Sequence, residues 1–326
     1  MEKNTHPFVS WEEQLHILNK KHNINIATHK TALESLKTYS YYTLVNGYQQ
    51  ALEKEQGTEE FIDGIAIEQL ALIHIIETRL ASELLHAIIS IEKKMKSIFQ
   101  YQISKDISYL QDVFLSKEHY ISRQADKSKT LNKLRRKANF SNQVSSSLLK
   151  YRSEGNVPPW ILINDITFGE FKHWYIISPS KIKENTVNEF NFGFDSVDTN
   201  LEFFKQALDF LVEYRNGLAH GDVINKIIPK HHLPFDKLKH FYNDNVIANV
   251  EYTKQGYGKN DLFGLIMLIS IFTPEYEKKL FKEQIVSFID VFDSILPISE
   301  APMRRILGNI PPDIFNRIDN IFKIEA

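Results

Sequence analysis

The residues best suited to chemistry stand together in Tyr214-Arg215-Asn216-Gly217-Leu218-Ala219-His220-Gly221-Asp222. Histidine accepts or donates a proton near neutral pH, so His220 can take the proton of a ribose 2′-hydroxyl or return one to a leaving oxygen. The fixed fork of arginine matches phosphate oxygens and stabilises charge that builds up in a transition state, which suits Arg215 as a phosphate clamp. Asn216 lies four residues before His220, so the two share a helix face, where Asn216 can orient a phosphate or the imidazole. Together these groups suit the cleavage of a phosphodiester.

Spacing sets a condition on that chemistry. Arg215 and His220 are five residues apart, about 140° round an ideal helix. Either the long arginine side chain or a loosened helix end at Gly217 has to close the gap. A structural reading competes: an arginine and a histidine near a helix terminus often just bind the last carbonyls and favour the dipole. Taken alone, the motif fits that reading better, and its surroundings have to decide.

The elements that position the motif read as helices. Glycine and proline are scarce, at 12 and 11 residues in 326, and apolar residues recur at three- and four-residue spacing. Ser10 before Trp11-Glu12-Glu13 predicts an N-cap with acids in the first turn. Short helices are expected at about 11–21, 29–38 and 40–53. A long one is expected from Ile65 to about Tyr101, with Leu70, Ile73, Ile76, Leu80, Leu84, Ile88, Ile91, Met95 and Ile98 on one wide stripe. A helix of that length predicts the spine of a bundle. Further helices are expected at 168–177 and at 199–218, the second carrying Leu201, Phe204, Leu208, Leu211 and Val212 toward the core. The stretch from 235 to 323 predicts three or four more, with breaks near Pro274, Pro297 and Pro311-Pro312. The expected fold is all-α, one helical unit over 1–326: N-terminal helices at 7–60, a core bundle at 61–225 with a basic insert at 120–155, and C-terminal helices at 233–323.

Composition excludes several function classes. The chain has no cysteine, which removes disulfides, thiolate zinc sites and cysteine nucleophiles together and suits a reducing cytosol. Met1 to Ser10 is polar, without an apolar signal core. No window approaches the roughly 20 apolar residues of a membrane span; Leu262–Phe272 is apolar but short and predicts a buried helix. A cytoplasmic protein with no membrane contact is expected. The formal net charge is −2, which does not exclude nucleic acid, because binding depends on where charge is placed.

One segment places it. From Lys127 to Lys137 the chain carries Lys127, Lys129, Lys133, Arg135, Arg136 and Lys137, followed by the polar run Ser141 to Ser147. These six are candidates for contact with an RNA backbone, since lysine and arginine neutralise phosphates and release counterions; a solvated helix face explains them equally well. Tyr39, Tyr41 and Tyr42 can stack bases, although such a cluster after a short helix is more often core. Adjacent histidines such as His231-His232 do not converge on one ion in a regular element. No metal site and no cofactor are expected, and neither a glycine-rich phosphate loop nor a nucleophile elbow is found.

Arg215-Asn216-Gly217-Leu218-Ala219-His220 resembles the R-x4-6-H signature of HEPN proteins, in the form with asparagine after arginine. Other elements are similar, in order, to abortive-infection proteins of the AbiD/AbiF type: the opening Pro7 to Leu15, Tyr39 to Tyr48, Ile88 to Lys93, Pro158-Pro159-Trp160 with Ile166 to Phe171, and Leu307 to Asp313. The resemblance runs from about residue 7 to 316. It departs where Gly221-Asp222 and Asn225-Lys226 follow the motif, in place of a second histidine and an arginine.

The resemblance implies a HEPN-like helical bundle with additional N- and C-terminal helices, and an antiphage protein that binds RNA and cleaves it by metal-independent 2′-hydroxyl attack. Because such sites work in pairs, it also implies a homodimer with a composite cleft. It further implies a small non-coding RNA as partner, so a non-catalytic RNA-binding regulator or scaffold is the alternative, and a protein that sequesters a host factor a third. Arg79 and His86 fit R-x6-H in letters but fall mid-helix, where surface packing explains them better.

Overall fold

The computed structural model describes residues 7–121, 127–296 and 300–323. Met1 to His6 and the break expected at Pro297 lie outside the described residues. The fold is all-α, with no β-strand among the described residues beyond two isolated bridges, Asn25 with Ala66 and Glu53 with Phe61.

Helix α1 (Trp11–His22) begins as its sequence predicts. Ser10 accepts from the Glu13 backbone while Glu13 reaches back to Ser10, a reciprocal capping box. Then follow α2 (His29–Tyr39) and α3 (Gly47–Leu52). The single helix expected over 40–53 is interrupted by a π-turn at Tyr42–Asn46, which pushes Tyr42 out to 76 % exposure while Tyr39 and Tyr41 pack against the core.

The spine, α4 (Ile67–Asp106), has 40 residues and spans about 60 Å. It runs beyond the expected end at Tyr101 because Gln102 and Ile103 are buried and Asp106 is held by Lys181 at 3.1 Å and Asn185 at 3.0 Å. Short α5 (Gln111–Phe114) precedes the basic helix α6 (Lys127–Asn139), whose apolar side is Thr130, Leu131, Leu134 and Ala138. Next come α7 (Ser146–Ser153), α8 (Pro159–Leu162), α9 (Phe168–Ile177) and α10 (Ser180–Asn188). Helix α6 packs on α7, α8 and α9.

The motif-bearing helix α11 (Val197–His220) starts at Ser196, whose hydroxyl accepts from Thr199. Phe203, Phe204, Ala207, Leu208, Leu211, Tyr214 and Leu218 form its buried face, laid against α4, α9, α10 and, beyond it, α13 (Leu262–Phe272). Before α13 lies α12 (Phe235–Phe241), and after it α14 (Glu275–Ile295), α15 (Ala301–Ile306) and α16 (Ile314–Ile321). The region from 235 thus holds more helices than the three or four expected, since α12, α15 and α16 are too short to show clear periodicity. Proline breaks the chain as predicted at Pro274 and at Pro311-Pro312. All of α13 except Ile271 is buried, and no helix among the described residues is long and apolar enough to cross a membrane. Buried apolar residues from Leu15 to Phe322 form one contiguous cluster.

Candidate active site

Arg215, Asn216 and His220 occupy the last two turns of α11, which stays regular to His220. Gly221 then turns left-handed, at φ 77°. Its N–H bonds the Leu218 carbonyl at 3.1 Å and the Asp222 N–H bonds the Gly217 carbonyl at 3.0 Å, the paired bonds of a Schellman cap. The helix is therefore not loosened at Gly217, contrary to one of the two expected ways of joining Arg215 to His220. Gly217 serves close packing instead: a Cβ there would sit 2.8 Å from Ile227 Cγ1. The two functional side chains of one chain leave the axis about 140° apart.

Arg215 is half-buried and leans toward the spine. Its Nε lies 3.8 Å from Glu92 Oε2 and is buried without a hydrogen-bond partner. Glu92 also accepts from Lys96 Nζ at 2.6 Å, and Lys96 donates to the Ile166 carbonyl at 2.6 Å. These groups line a cleft of about 400 Å³ together with Lys93, Gln100, Trp160 and Asn164. Its charges are three cations, Lys93, Lys96 and Arg215, against the single carboxylate of Glu92. The part of the Arg215 guanidinium that is open to solvent, beside spare positive charge, can donate to a phosphate oxygen.

Asn216 and His220 are exposed, about 100° and 140° round the helix from Arg215, and their side chains form no hydrogen bond or ion pair among the described residues. The chain just past His220 is held from within the core. Glu77 on α4, 2 % exposed, accepts from the Ile224 N–H at 2.6 Å. Its other oxygen meets the Tyr48 hydroxyl, and Tyr48 lies 2.9 Å from His74 Nδ1. Burial pushes the Glu77 carboxyl up to about 7 and holds His74 below its ordinary value. When Glu77 carries a proton it can donate to Tyr48, and Tyr48 on to His74, so both Glu77 oxygens, the Tyr48 hydroxyl and His74 Nδ1 stay bonded.

The basic run divides into two sets. Lys127 donates to the Tyr120 carbonyl at 3.0 Å and Arg135 to the Leu115 carbonyl at 2.6 Å, so both tie α6 to the preceding segment. Lys129, Lys133 and Arg136 are exposed, at spacings of four and three that align them on one face of the helix, while Lys137 is half-buried. Burial, and next to it the charges of Lys172, Lys133 and Lys129, keep the imidazole of His173 neutral to lower pH than usual. Arg79 and His86 are exposed on α4, and His231 and His232 on a loop. Among the described residues no three metal-ligating side chains cluster.

Sequence reasoning did not single out Glu77, Lys96 or Trp160 as parts of a site. The signal for the first two was a charge set inside an apolar stripe: Glu77 between Ile76 and Leu80, and the pair Glu92 and Lys96 between Ile91, Met95 and Phe99. A charged residue at a core position calls for a partner.

A family model described as Abi-like protein matches residues 34–225, more than half of the chain and including the whole of the motif. No curated protein and no solved structure matches.

Proposed function

The chain belongs to the Abi-like protein family, and on that premise we propose that it serves abortive infection in the cytoplasm by binding RNA and cutting it without a metal ion. The ribose 2′-oxygen attacks the adjacent phosphorus as its proton passes to a base. The 2′-O–P bond forms, the P–O5′ bond breaks, and the 5′-oxygen leaves with a proton from an acid. The products are a 2′,3′-cyclic phosphate and a free 5′-hydroxyl. His220 acts as the base or the acid, and Arg215 stabilises the charge on the non-bridging oxygens. Asn216 orients the phosphate or the imidazole. A second copy of the chain supplies the other acid–base group, which makes a homodimer the working unit and relaxes the 140° separation within one chain. The exposed stripe of α6 holds the flanking RNA backbone.

The observation that carries this reading is Arg215 itself: a guanidinium with a buried, unbonded Nε in a cation-lined cleft, five residues before an exposed histidine whose side chain has no partner among the described residues. The test is RNA cleavage by the full chain in EDTA. Wild-type protein is expected to leave cyclic-phosphate ends, and His220→Ala to lower the rate about 10²- to 10⁴-fold. A wild-type protein that binds RNA and leaves it whole overturns the nuclease reading.

The regular helix through Gly217 favours a second reading, since it sends Arg215 and His220 to different sides. In that case the same surfaces hold a small structured RNA without cutting it, as a regulator or scaffold. Tight binding of a co-purified RNA with no cleavage selects this alternative.

A further inference from the structure

Trp160 is 40 % exposed on the rim of the cleft that holds Arg215. Its place there is fixed. Pro158 and Pro159 restrict the backbone before it, and its carbonyl accepts from Asn164 Nδ2 at 2.8 Å. An indole with two-fifths of its surface open to solvent, on a restricted backbone and beside three cations, has the make-up of a stacking platform for a nucleic-acid base. The cleft, at about 400 Å³, lies within the range of sites that enclose small ligands.

We propose that this cleft is the binding site for one unpaired nucleotide of single-stranded RNA, with its base on the Trp160 indole and its phosphate between Lys93 and Arg215. The proposal rests on the functional reading above only in taking the ligand to be RNA and Arg215 to meet a phosphate. The remaining groups suit it. Lys93 is exposed and makes no ion pair among the described residues, so its ammonium is available to a phosphate. Lys96 is already held by Glu92 and the Ile166 carbonyl, so it contributes fixed charge at the cleft floor. The amides of Gln100 and Asn164 offer donors and acceptors to a base edge. An unpaired base is required because stacking on an indole needs a free face, which a duplex buries against its neighbours. The site selects for strand state more than for sequence, since every base has a π-face.

The proposal is tested with an eight-nucleotide oligoadenylate carrying a fluorescent end label, beside a duplex of equal length and free adenosine monophosphate. Binding is read by anisotropy and by quenching of tryptophan emission. Wild type is expected to bind the single strand and lose tryptophan emission, to bind the duplex more weakly, and to bind the mononucleotide weakly in the same cleft. Trp160→Ala is expected to raise the Kd for the oligomer about tenfold, the scale of one lost base–aromatic stack. Trp160→Phe keeps a ring and is expected to bind within about threefold of wild type while most of the quench disappears, since Trp174 is buried and Trp11, although exposed, does not line the cleft. That variant also guards against a misfolded alanine protein. Unchanged affinity in Trp160→Ala, undiminished quenching in Trp160→Phe, or preference for the duplex overturns the proposal. His220→Ala separates the two ideas. A wild-type protein that binds through Trp160 but never cleaves removes only the nuclease reading. Cleavage that depends on His220 but not on Trp160 removes only the stacking site.

Discussion

Two nearly buried glutamates on one helix are held in opposite ways. Glu77 and Glu92 lie fifteen residues apart on α4, about 22 Å along its axis. Glu77 meets neutral partners, Tyr48 and the Ile224 amide. Among the described residues no lysine or arginine pairs with it, His74 at 4.0 Å is held toward its neutral form by burial, and burial favours the protonated form of Glu77. Glu92 lies between Lys96 and Arg215 at the edge of an open cleft. Burial alone therefore does not mark a functional carboxylate. The Glu77 row is a fully bonded joint that pins the turn after His220 to the spine. The Glu92 cluster leaves the buried Nε of Arg215 without a hydrogen-bond partner at the wall of a cleft, a stability cost that a binding site can justify.

The contrast breaks most readily at Glu77. Glu77→Ala leaves the buried Ile224 amide without its acceptor, leaves the Tyr48 hydroxyl with His74 alone, and opens a cavity, so a loss of about 3 kcal/mol is expected in urea unfolding. A loss under about 1 kcal/mol would mean that the joint bears little of the fold. Titration sharpens the same point. The Glu77 carboxyl ionises near 4.5 ordinarily and at about 7 in the folded chain, so between these values the folded state holds the extra proton. Stability is therefore present at the acid end of this window and falls as pH rises through it, by about 1.4 kcal/mol per pH unit. Asp261, raised by burial from 3.8 to about 7, adds a slope of the same sign. His74 and His173, held below their ordinary values by burial, add slopes of the opposite sign in this window, so the test is a comparison: melting followed from pH 5 to 7 is expected to show Glu77→Gln losing less stability than wild type, by one group's share. An equal slope in the variant would contradict the assignment.

Smaller effects lie nearer the cleft. Gly217→Ala is expected to cost about 1 kcal/mol net, because overpacking against Ile227 outweighs the roughly 1 kcal/mol that alanine adds in helix propensity. A stabilised variant would show that Ile227 yields freely. The smallest change is expected on α6. Lys133→Ala with Arg136→Ala removes two exposed cations with little effect on melting, and lowers the salt slope of RNA affinity by about one for each cation. An unchanged slope would make α6 a solvated face and nothing more.

Much of the architecture could be read along the chain because its longest helices bury a clean stripe. The 3.6-residue period located α4 and α11 to within a few residues, and Ser10 gave the start of α1 through its capping box. The short helices α8, α15 and α16 escaped notice because four to eight residues hold too little period, and the π-turn at Tyr42–Asn46 breaks the phase of its neighbours. The motif residues were visible as types, but not their company. Glu92 comes to Arg215 across more than a hundred residues of chain, and Trp160 reaches the same cleft from a third segment. Gly217 was read as a weak point of the helix. Its role follows from Ile227, ten residues onward, which a local pattern does not reveal.

Arg215→Ala separates a Glu92 cluster that serves function from a Glu77 row that serves the fold. In that variant Glu92 keeps Lys96 as its partner, so no buried charge is left alone. Melting is expected within about 2 °C of wild type, with RNA cleavage in EDTA lowered about 10²- to 10³-fold, the loss expected when one transition-state donor is removed. A variant that cleaves like wild type, or that unfolds as readily as Glu77→Ala, contradicts this division of roles.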